Sequence, residues 1–151
     1  MHPFLRLINS FSDKSTERGA EFEKLCKWFL ENDPRYASKL EEVWLWDDWP
    51  GRWGRDCGID LVARDTENNI WAIQAKCYAP DNKVTKHDVD AFLSESVNEK
   101  IHYRLLIATT NGLSANAASV IKRQSNRVPV NQLMLSELLG APIEWPSSIN
   151  D

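Results

Sequence analysis

Two apolar segments decide the fold of this chain: GIDLVA at residues 58–63 and IWAIQAKC at residues 70–77, separated by the polar RDTENN at residues 64–69. Both segments have the length and aliphatic content of short buried strands, and the polar stretch has the composition of a tight turn. We therefore expect a β-hairpin. Because side chains alternate between the faces of a strand, Gln74 and Lys76 should share one face, and the partner strand can bring Asp60 alongside them.

The segments around this hairpin alternate between helical and strand patterns. Helical periodicity of apolar residues from 17 to about 33 predicts an amphipathic first helix. Thr85 with Asp88 three residues later forms a capping box before a second helix, and Ser114 can cap a third. Further strands are predicted at residues 43–46, 103–110 and 130–135, and a helical turn at residues 136–139. This order predicts an α/β fold with a mixed central sheet flanked by helices.

Length and composition limit the possible classes of protein. With 151 residues the chain is about one domain in size. No apolar run approaches the ~18 residues of a membrane span and the N-terminus lacks a secretory signal, so we expect a cytoplasmic protein without a membrane partner. Three cysteines without CxxC spacing and three scattered histidines give a zinc site no support. The net charge of -4 indicates that any DNA contact is local or assisted.

Asp60, Gln74 and Lys76 are residue types that metal-dependent phosphodiester cleavage uses. Mg²⁺ prefers hard oxygen ligands, so Asp60 is the obvious first ligand and the side-chain carbonyl of Gln74 can add a neutral one. The amine of Lys76 can orient the attacking water and oppose the negative charge that gathers on the scissile phosphate. The hairpin therefore predicts a hydrolytic site for a phosphodiester.

Several short sequence motifs resemble those of the Mrr-like branch of the PD-(D/E)XK nuclease superfamily, in which Gln occupies the second acidic position of the motif. These motifs are Gly19-x-x-Phe22-Glu23, Gly58-Ile59-Asp60 and Gln74-Ala75-Lys76. The surrounding words, among them Trp49-Pro50, Asp90-Ala91-Phe92 and Thr109-Thr110, are similar to the N-terminal nuclease domain of single-polypeptide Type I (Type ISP) restriction-modification enzymes. The resemblance covers roughly residues 17 to 146.

This resemblance implies a restriction-endonuclease-like αβα core and a DNA endonuclease that uses Mg²⁺, for which Mn²⁺ can substitute. It assigns Asp60 as the metal-binding acid, Gln74 as the second metal-binding residue, Lys76 as the catalytic amine and Glu23 as the supporting acid on the first helix. Glu21 is the reserve for that last role. The implied partners are double-stranded DNA, helicase, methyltransferase and target-recognition domains in one parent polypeptide, and a second copy that pairs transiently for double-strand cleavage.

The sequence also predicts segment boundaries and candidate DNA-binding residues. We expect an N-terminal lead at residues 1–16, a nuclease domain at 17–142, and a tail or linker at 143–151. Trp49 and Trp53 lie in a predicted loop, where they could contact DNA or a neighbouring domain. Acidic residues of that loop, such as Asp47, are interpreted as turn formers. Five residues are predicted to bind DNA: Arg52, Trp53, Arg55, Lys83 and Lys86.

Two alternatives to this function stay open. The chain could be a catalytically inactive DNA-binding or coupling module of the same fold, which Gln74 and the acidic net charge would favour. It could also be a nuclease for branched or modified DNA, as other members of the superfamily are. Metal binding discriminates the inactive module from either nuclease.

Overall fold

The computed structural model of the chain describes residues 1–54 and 58–149. Within those residues no helix is both long and apolar enough to cross a membrane. The helices are α1 (Pro3–Asn9), α2 (Ser15–Asn32), α3 (Pro34–Ala37), α4 (Lys86–Glu95), α5 (Ala115–Gln124) and α6 (Leu135–Leu139). The strands are β1 (Leu40–Leu45), β2 (Leu61–Asp65), β3 (Ile70–Lys76), β4 (Lys83–Val84), β5 (Tyr103–Ala108), β6 (Gly112–Leu113) and β7 (Val130–Leu133). A 3-10 turn (Trp46–Asp48) follows β1.

A five-stranded sheet with the order β1-β2-β3-β5-β7 forms the centre of the molecule. β1, β2 and β3 pair antiparallel, whereas β5 and β7 join them in parallel. One face carries a core built with α1 and α2, and the other face carries a core built with α4 and α5. The predicted mixed sheet flanked by helices is therefore confirmed. β4 and β6 form a small separate parallel pair that the sequence patterns did not indicate.

The predicted hairpin forms, but its first strand begins later than expected. β2 starts at Leu61, which pairs with Ile73, and Asp60 lies just before this ladder. Gly58 has a φ of +86° and lies against α4, where a Cβ atom would come within 2.9 Å of the Ala91 Cβ. A residue with a side chain would be strained in that conformation. The predicted strand at residues 58–60 is therefore wrong, because the chain turns sharply there to pass α4.

Packing extends beyond both predicted domain boundaries. Phe4 of α1 is buried in the core that contains α2, and His2 ties the start of α1 to the Leu139 carbonyl at 2.8 Å. In the tail, the Trp145 ring stacks on Phe29 of α2 with 5.3 Å between ring centroids and also contacts Phe4. The segments predicted as lead and tail thus contribute core contacts, and the division at residues 17 and 142 stays a prediction.

Arg104 on β5 is completely buried and joins the helical layer to the sheet. Its guanidinium donates to the Leu93 carbonyl at 3.2 Å and to the Gln124 and Val128 carbonyls at 2.8 Å. Leu93 and Gln124 lie in the last turns of α4 and α5, where backbone carbonyls lack helical partners and carry a partial negative charge. One buried cation therefore satisfies the ends of two helices.

Candidate active site

Two adjoining cavities open where β2 begins and β3 ends, beside the first half of α2. The first, which we call the β3 cavity, measures about 420 Å³ and is lined by Arg18, Glu23, Asp60, Lys76 and their neighbours. The second measures about 430 Å³ and is lined by residues that include Glu23, Asp47 and Asp60. Three of the four residues predicted to be catalytic, Asp60, Lys76 and Glu23, therefore line one cavity.

Asp60 is held in place by the end of β3. Its carboxylate accepts a hydrogen bond from the Ala75 N–H at 2.8 Å, and its own N–H donates to the Ile73 carbonyl at 2.9 Å. Burial raises the pKa of Asp60 to about 6, although the Ala75 N–H and the Lys76 charge oppose that shift. Asp60 lines both cavities, so its carboxylate is available to a ligand there.

Glu23 reaches the same cavity from α2. Phe22, Leu25 and Cys26 are buried on the helix face that packs against the sheet, and Glu23 lies at the border of that face. Burial, followed by the charges of Asp60 and Asp47, raises its pKa to about 7. Two carboxylates that repel each other in a partly buried cavity favour binding of a cation.

Glu21, the reserve acid, has a different role in the structure. Its carboxylate accepts a hydrogen bond from the Ser12 N–H at 2.9 Å, which anchors the segment between α1 and α2. Glu21 and Glu23 are two positions apart, so helical periodicity predicts that they lie at opposite edges of the apolar face of α2. The structure brings Glu23, and not Glu21, to Asp60.

Gln74 lines neither cavity, although its neighbour Ala75 lines the β3 cavity. The side chain is 3% exposed, and its Nε2 donates to the Asp88 carbonyl in α4 at 3.2 Å. That bond identifies Oε1 as the free end of the amide, and this oxygen is buried without a hydrogen-bond partner among the described residues. A buried acceptor without a partner costs free energy, which a cation or an ordered water at this position would recover.

Asp88 is a residue of the site that the sequence indicated only as a helix cap. The predicted capping box is confirmed, with the Thr85 N–H donating to the Asp88 carboxylate at 2.9 Å. Burial would raise the pKa of Asp88, but hydrogen bonds from Thr85 and Tyr78 and the charge of Lys76 lower it. The backbone carbonyl of Asp88 holds Gln74, so the first turn of α4 contacts one motif residue and acts electrostatically on another. No local pattern could reveal this, since the contact with Gln74 spans 14 positions.

The side-chain oxygen atoms at the site suit a cation with oxygen ligands, but only a few of them are present. Among residues 1–54 and 58–149, no group of three or more His, Cys, Asp or Glu side chains is arranged to hold a metal ion. A cation here would depend on the carboxylates of Asp60 and Glu23 and on the neutral Oε1 of Gln74. Asp60 and Gln74 are each one residue beyond the Leu61–Ile73 pair of the hairpin. The unpartnered amide oxygen and the two carboxylates fit Mg²⁺, which takes oxygen ligands and keeps several waters.

The candidate DNA contacts occupy different environments. Lys83 is exposed on β4, whereas Lys86 pairs with Asp90 at 3.1 Å. Arg52 is exposed and donates to the Trp49 carbonyl, and Arg55 lies outside the described residues.

The tryptophans of the predicted loop pack on one another. Trp53 is half-buried beside Trp46 and Trp49, and its indole N–H points to Glu95 at 3.4 Å. Trp49 is only 6% exposed, so the expectation that it contacts DNA or a neighbouring domain is wrong: it fills the core against α4.

The raised pKa of Glu23 predicts a pH-dependent stability. Between its ordinary value of 4.5 and about 7, the folded chain retains a proton that the unfolded chain has released, so the free energy of unfolding falls as the pH rises. Glu23→Gln removes this group, and we expect the variant to be more stable than the parent at pH above about 7 with the gain vanishing towards pH 4.5. Urea titrations across that range would measure it. A gain that is constant with pH would contradict the assignment.

A family model described as restriction endonuclease, Mrr_cat_2, matches residues 31–151. The match includes Asp60, Gln74 and Lys76 and begins after Glu23. No curated protein matches the sequence significantly.

Two solved structures are similar to the chain. The ATP-dependent Type ISP restriction-modification enzyme LlaBIII bound to DNA is 32% identical over 92% of this chain, with a TM-score of 0.75. The chain spans only 8% of the length of that enzyme. The MspJI restriction endonuclease in complex with a 27-mer oligonucleotide is 20% identical over 79% of this chain and 26% of its own, with a TM-score of 0.52, and shares the fold.

Proposed function

The chain belongs to the Mrr_cat_2 restriction endonuclease family, and on this basis we propose that it is a Mg²⁺-dependent DNA-cleaving domain that acts through Asp60, Lys76, Glu23 and Gln74. The observation that carries the proposal is the convergence of Asp60, Glu23 and Lys76 on the β3 cavity. The unpartnered Oε1 belongs to Gln74, the residue before Ala75, which lines that cavity. Mn²⁺ is expected to substitute for Mg²⁺ because both take oxygen ligands.

Asp60, Glu23 and Gln74 would hold the ion, and each has a distinct task. Asp60 supplies the fixed charge, since the Ala75 N–H orients its carboxylate. Glu23 supplies a second carboxylate, directly or through water, and the Asp88 carbonyl directs the amide of Gln74 so that its oxygen faces away from α4. When bound, Mg²⁺ lowers the pKa of a coordinated water and offsets negative charge on the phosphate.

Lys76 would act on the substrate and the attacking water. It lines the β3 cavity, where its charge acts on both Asp60 and Asp88. An ammonium group that lines the cavity can place a donor against a phosphate oxygen. Its amine opposes the charge that develops as the phosphodiester is attacked. This domain would cut the DNA backbone without reading sequence itself.

We place this domain as the cleavage module of a larger translocating restriction-modification enzyme. The support is the similarity to 8% of a Type ISP enzyme that is itself ATP-dependent and bound to DNA. Helicase, methyltransferase and target-recognition domains in the same polypeptide would then supply movement and specificity. The net charge of -4 agrees with a module that is brought to DNA by such partners. Two copies would pair transiently to cut both strands.

The test is nicking of supercoiled plasmid by the 151-residue chain at high protein concentration, with matched variants at two neighbouring acids. We expect nicking with Mg²⁺ or Mn²⁺ and none with a chelator. Glu23→Gln should lower the rate by about 10- to 100-fold, as loss of a supporting metal contact does. Glu21→Gln removes the same charge two residues away and should leave the rate unchanged, because Glu21 serves Ser12.

The same assay distinguishes the inactive module of the same fold. That alternative predicts no metal-dependent nicking by the parent chain while DNA binding persists. Equal losses in Glu21→Gln and Glu23→Gln would show that charge on α2, and not the cavity, controls cleavage. Faster cutting of branched or modified DNA than of plain duplex would favour the second alternative.

A further inference from the structure

We propose that Arg18 and Lys76 together form a binding site for a backbone phosphate of DNA in the β3 cavity, an inference that rests on the proposed function and extends it to a residue outside the motif. Arg18 lies in the first turns of α2 and lines the cavity together with Lys76, Cys77 and Tyr78. The two cations come from elements about 60 residues apart in the chain and meet only through the packing of α2 on β3.

The guanidinium of Arg18 is positioned but not neutralised. It is half-buried, its Nη1 donates to the Ile8 carbonyl at 3.3 Å, and its charge acts on the nearby Cys77 thiol, which lines the same cavity. Within residues 1–54 and 58–149, no carboxylate comes within 4.0 Å of it. A guanidinium has five N–H donors, so several remain for a ligand.

Two other cations on or near these helices have carboxylate partners, whereas Arg18 has none among the described residues. On the same helix Lys27 bonds Glu31 at 2.9 Å, and at the start of α4 Lys86 bonds Asp90. These contacts are solvated side-chain pairs of small energetic value. Arg18, in contrast, donates to a backbone carbonyl, which does not offset its charge.

The shape and charge of the β3 cavity favour a phosphate over other anions. Its volume of about 420 Å³ exceeds that of single ions and is sufficient for a phosphate group. Glu23 and Asp60 also line it, so an anion would enter only with a cation bound between it and the acids. A DNA phosphate beside Mg²⁺ meets that condition, and a planar guanidinium matches two phosphate oxygens at once.

Such a contact would fix the register of the DNA backbone without reading sequence. Phosphate contacts position a protein on the duplex, whereas base contacts give specificity. Arg18 would therefore hold the strand while Lys76 acts at the bond that breaks. This role predicts a loss of binding, in contrast to the loss of turnover expected of Lys76.

The test measures DNA affinity of the 151-residue chain with Ca²⁺ in place of Mg²⁺, using one short duplex over a range of salt concentrations. Arg18→Gln should weaken binding by about 10-fold and reduce the slope of log affinity against log salt by about 1. Arg18→Lys should keep most of the slope, since it keeps the charge. Lys27→Gln is the matched control, because it removes one positive charge from the same helix at a site that already has a carboxylate partner.

Cys77 provides a second measurement that needs no variant. Its thiol lies beside Arg18, so saturating duplex should slow its alkylation several-fold, as followed by peptide mass spectrometry. Equal slopes for Arg18→Gln and Lys27→Gln, or unchanged alkylation of Cys77, would overturn the site. If the parent chain cuts DNA and these results are negative, only this inference fails; if it neither binds nor cuts, the proposed function fails with it.

Discussion

Lys76→Met should slow plasmid nicking by about 100- to 1,000-fold, and Asp60→Asn at least as much, without unfolding the chain. Lys76 is half-buried at the end of β3 and no salt bridge within the described residues depends on it, so its replacement removes charge rather than core packing. Asp60→Asn keeps an oxygen that can accept from the Ala75 N–H, which preserves the local backbone. Both losses should therefore fall on chemistry.

Metal affinity separates the two residues. Asp60→Asn should lose most Mn²⁺ binding in calorimetry, since it removes the fixed charge of the site, whereas Lys76→Met should bind Mn²⁺ as well as the parent or better, because a repelling cation is gone. Lys39→Met is the control, since Lys39 is exposed at the far end of the hairpin, where its carbonyl accepts from the Thr66 N–H. If both site variants cut as fast as the parent while folded, the catalytic assignment is wrong.

Arg104→Met should lower the free energy of unfolding by about 3 kcal/mol, the largest effect on stability that we expect from one substitution. Burial lowers the pKa of Arg104 to about 10, so the structure already bears a cost for this cation. Methionine would relieve that cost but leave the carbonyls of Leu93 and Val128 without their donor, and each buried orphan costs about 1–3 kcal/mol. The Gln124 carbonyl would keep the Arg127 N–H as a donor at 3.0 Å.

Urea unfolding and calorimetry would measure the change, with a fall in Tm of about 6–12 °C for a chain of this size. Arg104→Lys should be intermediate, because an ammonium keeps the charge but cannot span three carbonyls on two helices and a loop. A variant Arg104→Met that is as stable as the parent would show that water satisfies those carbonyls and that the buried cation contributes little. Because Arg104 lines neither cavity of the site, nicking by the folded fraction should be unaffected.

Local patterns were sufficient for the elements that position the site. The capping box at Thr85 and the cap at Ser114 predicted the starts of α4 and α5, and both are present. Alternation along β3 predicted that Gln74 and Lys76 would share a face, and both interact with the first turn of α4. Such patterns work because caps and alternation depend on residues within a few positions of each other.

Elements that depend on distant contacts were missed. α1 is only seven residues long, which is too short to be stable alone, and it is held by Phe4 in the core and by the bond from His2 to Leu139, 137 positions away. The predicted strand at residues 58–60 failed for a related reason. The turn at Gly58 is imposed by α4, which is not adjacent in sequence.

By itself, the sequence determined the mixed sheet, the hairpin, and the presence of an acid and an amine at its open end, because side-chain periodicity and turn chemistry are properties of neighbouring residues. Only the tertiary structure decided that Glu23 and not Glu21 faces Asp60, that the Oε1 of Gln74 is left free, and that Arg18 enters the same cavity. Each of these depends on α2 or α4 packing against β3, and hydrogen bonds and charges act over a few ångströms of space whatever the separation along the chain.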